Sequence, residues 1–179
     1  MKFHIQTDRL ILREWRMEDA SGILKLNSNP DVIKYLHLEP MKTEEEALDN
    51  IKWVTDQYSK NKIGRWIMLK KSTNEFMGWT GLKLEDMEMN GNKYFYDVGY
   101  RILPKFWGKG YATESVIASV KYGFEEMKLN KINAAAHCKN IASCRVLQKV
   151  GFEELETFKI FNFQAYWFEY TKGEYFSKK

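Results

Sequence analysis

Cysteine, proline and long apolar runs are all scarce in this chain of 179 residues, which has 2 cysteines and 3 prolines. Cys138 and Cys144 have no CxxC partner and no paired histidines nearby, which excludes a disulfide framework and a zinc ribbon and points to a reducing, cytoplasmic setting. The uncharged apolar stretches fall far short of the ~18 residues that cross a bilayer, and the opening reaches Asp8 and Arg9 too soon for a secretory apolar core. No membrane partner is expected. Pro30, Pro40 and Pro104 are scattered, and no Ser/Gly linker, repeat or low-complexity tract interrupts the chain, so residues 1–179 are expected to form a single domain. A domain of that size buries roughly 70% of its unfolded surface and needs no covalent staple. His4, His37 and His137 share no ligand spacing, so no metal is expected.

An excess of one charge is also missing. Lys and Arg total 28 against 24 acids, a net charge of +4. That balance argues against nucleic acid as a partner but suits a small anionic ligand at one locally basic place. Aromatic residues, by contrast, are plentiful, with 6 Trp, 10 Tyr and 11 Phe. A chain so rich in them is mostly strand and core.

The pattern along the chain is mixed. Asp8 to Trp15 reads as a first strand, and Ala20, Ile23, Leu24 and Asn27 make a short helical stripe ending near Asn29-Pro30. Thr43 with Glu46 three residues on fits a capping box, and Ala47, Ile51, Val54 and Tyr58 share the face of the helix that follows. Three strand-like runs, 65–71, 76–85 and 94–103, are separated by Ser72-Thr73-Asn74 and Asn90-Gly91-Asn92, which predicts an antiparallel meander. From Ala112 the period turns helical through Val116, Val120, Phe124 and Met127. A strand at 131–138, a helix capped by Asn140 and stopped at Gly151-Phe152, and two aromatic strands at 153–161 and 163–171 complete the order. The fold class is therefore α/β (α+β), with a mixed, mostly antiparallel sheet of about seven strands flanked by about four helices.

The segment that carries chemistry is Lys105-Phe106-Trp107-Gly108-Lys109-Gly110-Tyr111-Ala112, between a strand and a helix. Two glycines let backbone amides approach a ligand where the helix leaves its first donors unpaired, and Lys105 and Lys109 add charge, an arrangement that suits phosphate. A tight turn whose glycines serve only a positive φ is the plainer alternative. It is neither a P-loop, since Lys109 lies between the glycines, nor a dinucleotide fingerprint, since Thr113 stands where the third glycine belongs.

These residues resemble the Gln/Arg-x-x-Gly-x-Gly/Ala signature of the GNAT superfamily of acyl-CoA-dependent acyltransferases, with Lys105 in place of Gln/Arg. The change keeps a cation but loses the planar fork. Thr7 to Arg13 is similar to the opening of the subgroup that includes ribosomal-protein N-terminal alanine and serine acetyltransferases. Asp97-Val98-Gly99-Tyr100 resembles its ExGY strand, and Asn140 to Phe152 its NxxSxxVLxKxGF helix. The resemblance implies a GNAT-like domain that binds acetyl-CoA or coenzyme A with no metal. The pyrophosphate would lie on Phe106, Trp107, Gly108, Lys109, Gly110, Tyr111 and Ala112, and pantetheine along the strand ending at Ile102-Leu103. Lys105, Asn140, Ser143 and Lys149 complete the implied cofactor contacts. A β-bulge near Leu103 would present amides to the thioester oxygen.

Two catalytic candidates follow. Asp97 interrupts the otherwise uncharged run Tyr94-Phe95-Tyr96 and Val98-Gly99-Tyr100 and is a base for the amine, or alternatively an ion-pair partner of Arg101 or Arg13. Ser143 could return a proton to the departing thiolate, or be merely a hydroxyl in the first turn of its helix. Asn140 reads first as a helix cap, and Cys144 as a buried helical residue rather than a nucleophile. Trp53, Trp66, Trp79 and Trp107 either line an acceptor cleft or pack in the core. The acceptor is expected to be a primary amine, either a small molecule or a protein N-terminus, walled by the first two helices and the loop near Glu85–Lys93. The alternative activity is a non-catalytic acyl-CoA-binding module. The aromatic final strands allow a homodimer.

Overall fold

Local capping and turn chemistry place most elements where the sequence puts them. In the computed structural model, which describes residues 4–160 and 162–178, α1 (Ala20–Asn27) is followed by a one-turn α2 (Pro30–Ile33), started by Asn29, whose side chain accepts from the amides of Asp31 and Val32. In α3 (Glu44–Asn61) the Thr43 hydroxyl accepts from the Glu46 amide at 3.2 Å. The Glu46 carboxylate turns to the amide of Lys42 at 2.7 Å, so the cap is shared with the preceding residue. The strands are β1 (His4–Gln6), β2 (Leu10–Arg13), β3 (Trp66–Lys70), β4 (Glu75–Glu85), β5 (Phe95–Ile102), β6 (Lys131–His137), β7 (Glu153–Ile160) and β8 (Phe163–Thr171). The remaining helices are α4 (Tyr111–Lys121), extended by a π turn at Tyr122–Glu126, α5 (Ile141–Val150) and α6 (Lys172–Ser177). Gly151 ends α5 as expected, with the amides of Gly151 and Phe152 both returning to the carbonyl of Leu147.

The eight strands of the described residues form one sheet in the order β1-β2-β3-β4-β5-β6-β8-β7. The sequence suggests about seven strands and about four helices. The additions are β1, which pairs Gln6 with Ile11 across a tight turn, and the short helices α2 and α6. The first strand is correspondingly shorter than the run from Asp8 to Trp15. Position 161, the expected end of the run that forms β7, lies outside the described residues. The aromatic residues of β8 that suggested self-association are core: Trp167, Phe168 and Tyr170 are all buried.

Two packed layers cover the sheet. One face carries Val98, Ile102, Trp66, Met68 and Met77 against Val116, Val120 and Phe124 of α4 and Leu147 of α5. The other buries Ile67 and Trp15 under Ala20 and Ile23 of α1 and Ala47, Ile51 and Val54 of α3.

Every neighbouring pair is antiparallel except β5 and β6, which run parallel and meet in register only at Asp97↔Asn133. Beyond that point β5 follows β4 as far as Gly78↔Ile102, while β6 follows β8 as far as His137↔Ala165. The sheet therefore opens between residues 98–102 and 134–137. The expected bulge near Leu103 is not found. The register between β4 and β5 is unbroken, and the irregularity lies in β4, where Met68 faces Gly78 but Leu69 faces Phe76. The amide of Leu103 donates to Met77 O at 2.9 Å, so it is already committed. By the two-residue alternation of a strand, Ile102, Tyr100 and Val98 turn their backbone groups toward the opening instead.

Gly78 makes this register possible. Its φ is +143°, and a Cβ there would lie 2.0 Å from the carbonyl oxygen of Arg101. Gly91, with φ +69° and nothing within 4 Å of the place a Cβ would take, is the natural control. Gly78→Ala is expected to lose about 2–4 kcal/mol in urea unfolding and Gly91→Ala about 1 kcal/mol. Equal losses would contradict the close β4–β5 approach.

Candidate active site

The turn after β5 leaves a run of amides unused. The amides of Phe106 and Trp107 close a short helical turn onto Leu103 O and Pro104 O, both at 3.0 Å. The next bond is Glu114 N–H to Gly110 O, at 3.0 Å. Between them, the amides of residues 108–113 meet no acceptor among the described residues. Gly108 and Gly110 have φ +71° and +80°, so the backbone does demand glycine, and the plainer reading of the turn is correct as far as it goes. Open approach holds as well: a Cβ at Gly108 would meet nothing within 4 Å, and one at Gly110 only Arg9 Nη2 at 3.4 Å. Six successive donors at the positive end of an 11-residue helix fit the diphosphate of coenzyme A.

The turn is clamped from the first hairpin. Arg9 Nη1 donates to Lys109 O at 2.9 Å, Arg9 Nε meets Glu114 Oε2 at 2.6 Å, and the guanidinium lies 4.4 Å from the centre of the Tyr111 ring. Glu114 also accepts from the Thr7 hydroxyl and the Arg9 amide at 2.6 and 2.9 Å. Burial works against its charge, but the bonds from Thr7 and Arg9 prevail and hold the carboxyl below its ordinary value. The opening Thr7–Arg9 motif thus fixes the start of α4.

The cationic side chains of the turn point elsewhere. Lys105 is paired with Glu75 of β4, an exposed contact that depresses the Glu75 carboxyl, and Lys109 Nζ donates to Lys105 O at 2.8 Å. Lys149 is exposed in the last turn of α5 and makes no polar contact among the described residues. Trp107 is half exposed, with Nε1 bonded to Ile102 O at 2.7 Å, capping the end of β5.

Across the opening, Tyr100 of β5 reaches Ser143 of α5. Their hydroxyls lie 2.8 Å apart, and the Tyr100 hydroxyl also donates to Ser143 O at 3.3 Å. Burial pushes the Tyr100 phenol up to about 12, so it keeps its proton at neutral pH. Asn140 is the α5 cap, its Oδ1 accepting from the Ser143 amide at 3.2 Å. The Ser143 hydroxyl is therefore bound to a residue of the opening rather than to its own helix. Cys144 is buried, and burial raises its thiol, which disfavours the thiolate.

On the opposite face of β5 lie Asp97, Gly99 and Arg101. Asp97 Oδ2 is paired with Nη2 of Arg65, whose Nη1 donates to the carbonyls of Gly81 and Asp97. Neither Arg101 nor Arg13 is the partner. Arg101 stands four residues along the same strand, ~13 Å away at a strand's rise. Arg13 lies on β2, with β3 and β4 between it and β5, and pairs with Asp19 at 2.6 Å. Gly99 admits the guanidinium, since a Cβ there would lie 2.8 Å from Arg65 Nη2. Burial raises the Asp97 carboxyl above its ordinary value against the opposing pull of Arg65. Its Oδ1 accepts from no donor among the described residues.

Of the other tryptophans considered for an acceptor cleft, Trp66 is core, Trp53 is exposed on α3, and Trp79 is half buried beside Arg65 and Arg101. Arg65 and the Arg9–Glu114 clamp escape a reading of the sequence, because isolated charges beside apolar runs carry no periodic signal, and Arg101 is legible there only as a partner for Asp97, which it is not. Among the described residues no group of three or more His, Cys, Asp or Glu side chains could hold a metal ion, and no helix is long and apolar enough to cross a membrane.

Residues 9–153 match the family model of the acetyltransferase (GNAT) domain. The chain is 32% identical over 150 residues to the uncharacterized N-acetyltransferase p20 of Bacillus licheniformis, covering 84% of this chain and 82% of that protein. Its fold is similar to a GNAT-family acetyltransferase from Bacillus anthracis, with TM-score 0.79 and 26% identity over 96% of this chain and 99% of the other. It is also similar to spermidine N-acetyltransferase from Vibrio cholerae in complex with CoA and spermine, with TM-score 0.76 and 19% identity over 95% and 99%. The family match and the p20 identity together mean that the chain belongs to the GNAT family of acetyltransferases, enzymes of the acyltransferase class.

Proposed function

We propose that the protein moves an acetyl group from acetyl-CoA to a primary amine, a small molecule or a protein N-terminus, by direct attack in a ternary complex. The observation that carries this reading is the run of uncommitted amides at 108–113 beside the opening between β5 and β6. The Vibrio cholerae relative was solved with CoA, which supports the same occupant here.

Acetyl-CoA supplies an acyl group activated as a thioester. The amides of the turn would hold its diphosphate, and the β5 backbone facing the opening would hold its pantetheine amides as a partner strand would. The exposed Lys105–Glu75 pair exchanges readily with water, which leaves Lys105 able to turn to a phosphate.

Asp97 would act as the base. A primary alkyl amine with a reference pKa near 10.4 costs ~4 to 5 kcal/mol to deprotonate at pH 7, whereas an α-amine near 8 costs far less. Asp97 Oδ1 is open to accept that proton directly or through water, and a carboxyl raised by burial is a stronger base than an exposed one. The Tyr100–Ser143 hydroxyl pair would return a proton to the departing thiolate, since Tyr100 is protonated at neutral pH. Cys144, buried with its thiol raised, is not used as an acyl carrier. A module that binds acyl-CoA without turnover would need the turn but not Asp97 or Ser143, so bound coenzyme A with no thiol release across an amine panel would favour that alternative.

Two outcomes are expected. Gly110→Glu places a carboxylate among the free amides and should reduce acetyl-CoA affinity by at least about 100-fold in calorimetry, with the circular dichroism spectrum retained. Unchanged affinity would contradict the placement of the diphosphate. Asp97→Asn should lower kcat/KM for an alkyl amine by about 10²–10⁴-fold near neutral pH, and by less as rising pH deprotonates the amine in solution. A ratio to the native enzyme that stays constant with pH would remove Asp97 from the role of base.

A further inference from the structure

The face of β5 that bears Asp97 also bears a cation without an anion among the described residues. Three arginines are not fully exposed: Arg13, Arg65 and Arg101. Arg13 has Asp19 and Arg65 has Asp97, but Arg101 meets no carboxylate among the described residues. Its sole hydrogen bond there runs from Nη1 to the neutral Oδ1 of Asn27 at 2.5 Å, so Nε and Nη2, the edge that grips a carboxylate with two parallel bonds, have no acceptor. The guanidinium lies 5.2 Å from the centre of the Trp79 ring, which on the same measure is 5.5 Å from Arg65. Burial, and then the positive charge of Arg65, bring Arg101 down to about 10, still a cation at neutral pH.

A half-buried guanidinium beside a like charge is an unfavourable arrangement in the free protein. It becomes favourable when a ligand brings the missing anion. The position of Arg101 says which ligand. The turn of free amides and α4 lie on the other face of the sheet, so the diphosphate of coenzyme A has its own receptor. Arg101 instead shares a face with Asp97, and it is held by Asn27 at the end of α1, whose carbonyl takes the amide of Met41 from the segment leading into α3. These elements are the expected wall of the acceptor.

We infer that the acceptor is an amino carboxylate, a small molecule whose amine is presented toward Asp97 while its carboxylate pairs with the Nε–Nη2 edge of Arg101. This deepens the acetyl-transfer reading and rests on it. A polycation such as spermine, bound by the Vibrio cholerae relative, would instead set its charge against Arg65 and Arg101. Arg101 is a binding residue in this scheme: it fixes the acceptor and leaves proton transfer to Asp97.

The test is thiol release from acetyl-CoA with a series of amino acids from glycine through β-alanine and γ-aminobutyrate to ε-aminocaproate, together with the common α-amino acids. Each is paired with its carboxamide, and spermine is included. The best acid of the series should exceed its own amide by at least about 10-fold in kcat/KM, mostly through KM. In Arg101→Gln, acid and amide should fall within about twofold of each other, and Arg101→Lys should keep part of the preference. Because the variant could be altered in folding, its melting temperature and acetyl-CoA affinity are measured alongside, and both should match the native protein. Amides or spermine as good as every acid in the native enzyme, or a preference that survives in Arg101→Gln, would overturn the inference while leaving acetyl transfer intact. Bound acetyl-CoA with no thiol release from any of these amines or from N-terminal peptides would overturn both.

Discussion

Everything in the site depends on β5 parting from β6 after one parallel pairing, at Asp97↔Asn133. A parallel neighbour would otherwise consume the backbone groups of Val98, Tyr100 and Ile102. Their release follows from the partners on either side: β4 holds β5 through Gly78↔Ile102, and β8 holds β6 along all of its length. With each strand bound to its own half of the sheet, the two part without a break in either register. Tyr100 and Ser143 then reach across it from strand to helix.

The turn that follows β5 extends this logic to the helix. An α-helix leaves its first amides without acceptors, and most helices cover them with a capping side chain, as Thr43, Asn140 and Thr171 do here. α4 begins instead at Gly110 with no side-chain cap, and the restraint that a cap would provide comes from Arg9 and Glu114 on its outer side. The turn is thus held from outside while its amides stay uncommitted among the described residues. On the other face of β5 the charges are arranged with equal economy. Arg65 answers Asp97 while leaving one carboxylate oxygen open, and Arg101 remains with a neutral partner.

Local chemistry was legible in the sequence, and long-range pairing was not. The cap at Thr43, the stop at Gly151-Phe152, the hairpin turns and the glycine turn at 108–110 depend on residues within a few positions of one another, so spacing reveals them. The helices α2 and α6, with 4 and 6 residues, are too short to show a period. The bulge expected at Leu103 is not found, because Gly78 lets β5 follow β4 without a break, and the irregularity lies instead where β4 meets β3. The partner of Asp97 is 32 residues away, that of Arg9 105, and that of Arg101 74. Nothing in the flanking residues announces such contacts, although a charge placed between apolar neighbours signals that some partner must exist.

The central claim is that backbone amides, more than lysine side chains, receive the acyl carrier. Amide hydrogen exchange with and without coenzyme A tests it residue by residue. The expected result is strong protection of the amides at 108–113 and of those of β5 that face β6, with little change in α3 or β7. Exchange at 108–113 unaltered by saturating coenzyme A, or protection confined to other segments, would contradict it.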